Sequence, residues 1–123
     1  MDKRKPLGRT ARELDAIFRE LPDASLCFDI GHARQCDSTM AEAHLILREF
    51  GHRLAEVHVS EVSTSSRHGA LSFLSVRAFQ QVAHLIGEGV PLILETPVPR
   101  EQMREQMTLA QEALPLSRRA LVA

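Results

Sequence analysis

Apolar positions along this chain change period from helical to strand-like and back several times. Leu14, Ile17, Phe18 and Leu21 recur at helical spacing behind Thr10-Ala11-Arg12-Glu13, which has the form of a capping box. Pro22-Asp23 stops that helix, and Ser25-Leu26-Cys27-Phe28 follows as a short, nearly continuous apolar run, the pattern of a strand covered on both faces. Thr39-Met40-Ala41-Glu42 repeats the capping-box pattern before a helix that runs to Phe50, with Gly51 placed as its cap. Leu54 to Val59 reads as a second strand, and the polar stretch after it as a loop. Ser75 opens a third helix with Val76, Phe79, Val82 and Ile86 on its apolar face, ended by Gly87 and Gly89. Pro91-Leu92-Ile93-Leu94 is a third buried strand, Thr96-Pro97-Val98-Pro99 breaks the chain, and a last helix spans 100–113 before Pro115.

Helix and strand signals therefore alternate, which predicts an α/β fold with about three parallel strands among four helices. One domain over residues 1–123 is expected, with 1–9 and 115–123 as loosely held ends. Three parallel strands leave two unpaired outer edges. A closed eight-stranded barrel takes about 250 residues, so the expectation is a partial (β/α) barrel. Its N-terminal half is missing, or a partner completes the sheet.

Composition narrows the setting. Apolar residues make up 44% of the chain and aromatics 4%, so the core is to be built from Leu, Val, Ile, Ala and a few Phe. The formal net charge of −1 gives no long-range attraction to nucleic acid or an anionic membrane. No apolar run reaches the roughly 18 residues of a transmembrane span, and the basic start Met1-Asp2-Lys3-Arg4-Lys5-Pro6 lacks the apolar segment of a signal peptide. Cys27, in an apolar run and expected in the core, and Cys36, in a polar loop, read as reduced thiols of a cytoplasmic protein.

Position carries the chemical signal. Asp29, His58 and Glu95 each end an apolar strand, and in parallel α/β folds that rim collects catalytic groups. Two carboxylates and an imidazole suit Mn²⁺, Zn²⁺, Co²⁺ or Fe²⁺. One such residue would only cap a helix; three in register point to a shared metal or polar site. His32, in Asp29-Ile30-Gly31-His32, is placed to bind a second metal or contact substrate, or to hydrogen-bond backbone, and Gly31 lets the chain turn closely over the rim. Arg67 could clamp a phosphate or carboxylate and His68 could be a ligand or proton donor; the alternative is a solvated loop pair. Glu61 joins the site or lies on the surface. His44, His52 and His84 read as surface or packing residues.

Leu26-Cys27-Phe28-Asp29-Ile30-Gly31-His32-Ala33, then Glu56-Val57-His58-Val59-Ser60, Arg67-His68 and Ile93-Leu94-Glu95-Thr96-Pro97, taken in order, resemble the second half of the sugar phosphate isomerase/epimerase family. That family belongs to the xylose isomerase-like TIM barrels and is related to endonuclease IV. The resemblance covers about residues 10–112. It implies a divalent metal (Mn, Zn, Co or Mg) on Asp29, His58 and Glu95, with His32 serving substrate or a second metal and His68 matching the histidine of the loop after strand six. Catalytic roles then fall to Glu95, His32 and His68, and substrate binding to Arg67 and His32. The implied activity is proton transfer beside the carbonyl of a sugar or sugar phosphate. Two departures stand out. The family's metal-binding glutamate on strand four falls before Met1, and Ser66 stands where endonuclease IV relatives carry an acidic residue. The resemblance also implies one more strand between the second and third, with 69–74 as its remnant or part of a loop. The rival expectations are a non-catalytic half-barrel that binds a partner or itself, and an endonuclease IV-like phosphodiester hydrolase.

Overall fold

Thr10 opens the first helix as its sequence implies. In the computed structural model, which describes residues 7–115 and 121–122, its hydroxyl accepts the Glu13 N–H at 3.1 Å, and the Glu13 carboxylate accepts the Arg9 N–H at 2.7 Å. Helix α1 (Ala11–Glu20) buries Ala11, Leu14 and Phe18. The Phe18 ring lies 5.1 Å from that of Phe50, and the Arg53 guanidinium caps it at 4.5 Å while donating to the Pro22 and Ala24 carbonyls.

Strand β1 (Leu26–Asp29) runs directly into helix α2 (Ile30–Cys36), where a rim loop was expected. Asp29 is the N-cap: its Oδ1 accepts the His32 N–H at 2.9 Å. Seven residues are too few to show an apolar period, which is why the sequence hides this helix. Helix α3 (Ala41–Phe50) also starts differently from its capping-box reading. Its N-cap is Met40, at φ 64°, with no side-chain cap. Asp37 does that work from outside: Oδ1 accepts from the Thr39 N–H and hydroxyl, and Oδ2 accepts the Glu42 N–H at 3.0 Å. The Glu42 carboxylate is thus free to accept the Ala11 N–H at 2.6 Å and cap α1 across the helix pair. Gly51 stays right-handed and leads into a short 3-10 turn.

Strand β2 (Leu54–Val59) is followed by a hairpin, β3 (Glu61–Val62) and β4 (His68–Gly69), in the stretch read as a loop; two-residue strands carry no alternation to detect. Of the suggested strand remnant 69–74, Gly69 belongs to β4 and Phe73-Leu74 open helix α4 (Phe73–Gln80). Its N-cap is Ser72, with Ser75 reciprocating from three positions on, so the helix starts earlier than expected. It also stops earlier, at a 3-10 turn over Ala83–Leu85 that still buries Val82 and Ile86. Strand β5 (Leu92–Leu94), a 3-10 turn, helix α5 (Met103–Ala113) and strand β6 (Leu121–Val122) complete the order. The suggestion that the ends are loosely held falls largely on residues outside the described ones.

The main sheet has the order β1-β2-β5-β6, every neighbour parallel. The architecture is therefore α/β on a parallel sheet whose strands lie in chain order. Register fixes what each face carries. Phe28, Val57 and Leu92 are aligned on one face, nearly or wholly buried in the core with Ile30, Ile46 and Phe79. Asp29, His58 and Ile93 align on the other, with Cys27 opposite Glu56. That second face is open: Cys27 is exposed and Glu56, His58 and Ile93 are only part-buried. The expectations of a strand covered on both faces and of a core Cys27 are corrected accordingly. The helices pack on the other side, so alternation places Cys27 on the open face, its thiol beside Glu56. Among the described residues no helix is long and apolar enough to cross a membrane.

Candidate metal centre at the strand ends

Parallel register brings the strand-ending residues together. Asp29 pairs with His58 across β1 and β2, and the Glu95 N–H donates to the Val59 carbonyl at 2.9 Å, which places Glu95 beside the end of β2. Ligand atoms of Asp29, His58 and Glu95 all lie within 4.8 Å of one another. The sequence-derived trio is thus one cluster. His58 sits at its centre: Nδ1 is 3.0 Å from Glu95 Oε1 and Nε2 is 2.9 Å from Glu56 Oε1. A neutral imidazole has a single N–H and can donate to only one of these carboxylates. A divalent cation on Nδ1 would satisfy Asp29 and Glu95 together while the Nε2 proton stays on Glu56, the outer-shell carboxylate that orients a metal-bound histidine. Among the described residues, Asp29, Glu56 and Glu95 form ion pairs with histidines alone. The carboxylate–imidazole–carboxylate set therefore fits a divalent ion.

Asp29, His32 and His68 form a second group of that span, sharing Asp29 with the first. His32, only 5% exposed, stands on the first turn of α2, and its ring meets that of His68 edge-on at 5.1 Å. Gly31 is what lets α2 lie so close. A Cβ there would stand 2.4 Å from the Ser60 carbonyl oxygen and 2.8 Å from Val62 Cγ2. The glycine serves close approach to the end of β2, and its backbone is helical. His68 is held from the strand side, its Nδ1 2.7 Å from the buried Ser60 hydroxyl and 3.9 Å from Glu95 Oε2.

Three further residues, none of them expected to serve the site from the sequence, join this arrangement. Gln35 donates through Nε2 to the Ser63 and Thr64 carbonyls and to Ser66 Oγ, tying α2 to the hairpin, and its Oε1 faces His32 Nδ1. Its spacing of three from His32 would have marked it had α2 been recognised. Ser60 and Glu56 flank His58 at alternate positions of one extended segment, the period-two signal of a shared strand face. The His58 and Cys27 contacts hold the Glu56 carboxyl below its ordinary 4.5.

Other candidates fall outside the cluster. Arg67 is exposed on the hairpin, where its backbone bonds with Ser63 close the turn. Glu61 has structural partners, accepting from the Ser75 hydroxyl at 3.1 Å and lying 3.6 Å from Arg34 Nη1. His44 and His84 face each other with ring centroids 6.0 Å apart, and His52 lies in the 3-10 turn before β2. Compared with protein-family models, with curated proteins and with solved structures, the chain finds no match in any of the three.

Proposed function

We propose that this chain is the C-terminal half of a xylose isomerase-like barrel and carries the metal centre of a sugar or sugar phosphate isomerase/epimerase. The observation that carries the reading is the convergence of Asp29, His58 and Glu95 within 4.8 Å at the carboxyl ends of neighbouring parallel strands. Strand order supports the barrel element. Neighbours in the sheet follow chain order, as around a closed barrel, with no reversal of the kind that marks doubly wound sheets.

Asp29, His58 and Glu95 would hold the ion. When bound, such an ion polarises a carbonyl and its neighbouring hydroxyl. Glu95, with its side chain 35% exposed, is accessible to substrate and serves as the base that removes and returns the proton on the carbon beside the carbonyl. Ser60 fixes the His68 ring, so its second nitrogen is available to a substrate oxygen. His32 and His68 together wall one side of the site. Arg67, exposed on the hairpin outside the cluster, is the cation this reading assigns to a substrate phosphate. Cys27 and Cys36 are not joined in a disulfide, which suits a cytoplasmic setting.

Partner binding is a second reading, favoured by one observation: among the described residues nothing covers the sheet face bearing Cys27, Glu56, His58 and Ile93, and none pairs with the outer edges of β1 and β6. A second copy or a first half-barrel would cover it. Calorimetric titration with Mn²⁺ and Zn²⁺ on wild type and Asp29→Asn tests the metal reading. Asparagine keeps the helix cap and removes the charge. An affinity loss of tenfold or more in the variant is expected. Deuterium wash-in from solvent, followed by NMR on a panel of aldoses, ketoses and their phosphates, tests the chemistry. Equal metal binding by both proteins would remove the metal centre. Normal metal binding without any exchange, alongside self-association in ultracentrifugation, would favour the partner-binding reading.

A further inference from the structure

The open face of the sheet carries a third set of metal-ligating side chains. Cys27 and Glu56 are register partners on β1 and β2, and His58 lies two residues beyond Glu56 on the same face. Ligand atoms of the three fall within 4.8 Å of one another, a group that shares His58 with the one at the strand ends and adds a thiol. Metal–ligand bonds of about 2.0–2.3 Å to thiolate, imidazole and carboxylate can bridge such a span. Cys27 is exposed, so an ion reaches this group directly from solvent. The donor sets also differ in softness. A thiolate with an imidazole selects Zn²⁺ and similar ions, whereas carboxylate-rich sites suit Mn²⁺ and Mg²⁺.

We propose that Cys27, Glu56 and His58 Nε2 form an alternative soft-metal site, mutually exclusive with an ion on His58 Nδ1. The exclusivity follows from the ring. With Glu56 at 2.9 Å from Nε2 and Glu95 at 3.0 Å from Nδ1, a neutral His58 keeps one proton and offers one lone pair. An ion on Nε2 requires the proton on Nδ1, donated to Glu95. An ion on Nδ1 requires it on Nε2, donated to Glu56. Binding at the thiol site forms a metal–sulfur bond, breaks the S–H bond and releases that proton to solvent. The two sites thus compete for one imidazole through its tautomer. Through His58 this inference touches the metal reading above, but its signature is the sulfur ligand.

Co²⁺ titration of the full chain, read by absorption, tests it. Wild type should develop an intense near-ultraviolet thiolate-to-cobalt band saturating at one ion per chain. The band should persist in Asp29→Asn, vanish in Cys27→Ser, and weaken at least tenfold in affinity in Glu56→Gln. Loading with one Zn²⁺ per chain, confirmed on the thiol by suppression of the thiolate-to-cobalt band, should lower Mn²⁺ affinity, measured by electron paramagnetic resonance, at least tenfold in wild type. No thiolate band in wild type, or a band unchanged in Cys27→Ser, overturns the site. Unchanged Mn²⁺ affinity in zinc-loaded wild type overturns the exclusivity. A wild-type thiolate band without Mn²⁺ binding would support the soft site and sink the centre on Asp29 and Glu95, so the two failures are distinguishable.

Discussion

Gln35 Oε1 lies 3.1 Å from His32 Nδ1 while the Gln35 amide nitrogen donates to the Ser63 and Thr64 carbonyls. Carbonyls only accept, so the amide orientation is fixed, its oxygen must accept, and the Nδ1 of His32 must carry the proton. A neutral His32 then turns an unprotonated Nε2 toward Asp29, whose Oδ2 lies 3.9 Å away. Imidazole ¹⁵N shifts should show the Nδ1–H tautomer for His32 at pH 8 in wild type. Gln35→Leu should shift the population toward the Nε2–H form; an unchanged spectrum would show that Gln35 does not set the tautomer.

Gly31→Ala should destabilise the fold by about 1–3 kcal/mol, the usual range for forcing a methyl into packed structure. The methyl would meet the Ser60 backbone, which cannot rotate away as a side chain can. Thermal unfolding measures the cost. Because the displaced strand end carries Ser60, the His68 resonances should move as well; a variant as stable as wild type would contradict the close approach.

Cys27 should be a slow nucleophile despite its exposure. Partial desolvation, then the hydrogen bond to Glu56 and the charges of Glu56 and Asp29, push its thiol from 9.0 up to about 11. Two pH units leave about a hundredfold less thiolate at pH 8 than an ordinary cysteine has. Iodoacetamide alkylation in a Cys36→Ser background should rise with pH toward a midpoint near 11, and Glu56→Gln should move that midpoint down. The stability sign follows: the folded state holds this proton more tightly, so stability falls as pH rises from 9.0 toward 11 and is unaffected below.

Asp37 should act in the opposite range. The Thr39 hydroxyl and the Glu42 N–H hold its carboxyl below the ordinary 3.8. Its stabilisation is therefore present above pH 3.8 and lost as pH falls through the folded value. Asp37→Ala should cost about 1 kcal/mol at neutral pH, as loss of a helix cap does. The difference from wild type should shrink in acid, as read by denaturant unfolding across pH.

Much of this molecule could be read from residue order. Strands β1, β2 and β5 fall where apolar runs stop at polar residues, and Asp29, His58 and Glu95 meet because parallel register aligns strand ends. What escaped detection is short or non-local. The seven-residue α2 and the two-residue strands of the hairpin have no period to show. Thr39-Met40-Ala41-Glu42 has the letters of a capping box, yet Asp37 takes the N–H groups and Glu42 turns to Ala11, a partner 31 residues away. Cys27 looks like a core residue in an apolar run, and only the one-sided placement of the helices leaves it in solvent.

In the main sheet no strand meets its neighbour through a tight turn, since every pair is parallel and separated by at least one helix. Contacts of that kind reward the chain only after long loops have closed, which makes folding slow. Among the described residues no strand pairs with the outer edge of β1, so during that interval its N–H and C=O groups are offered to other chains. Recovery after dilution from denaturant should consequently fall as protein concentration rises.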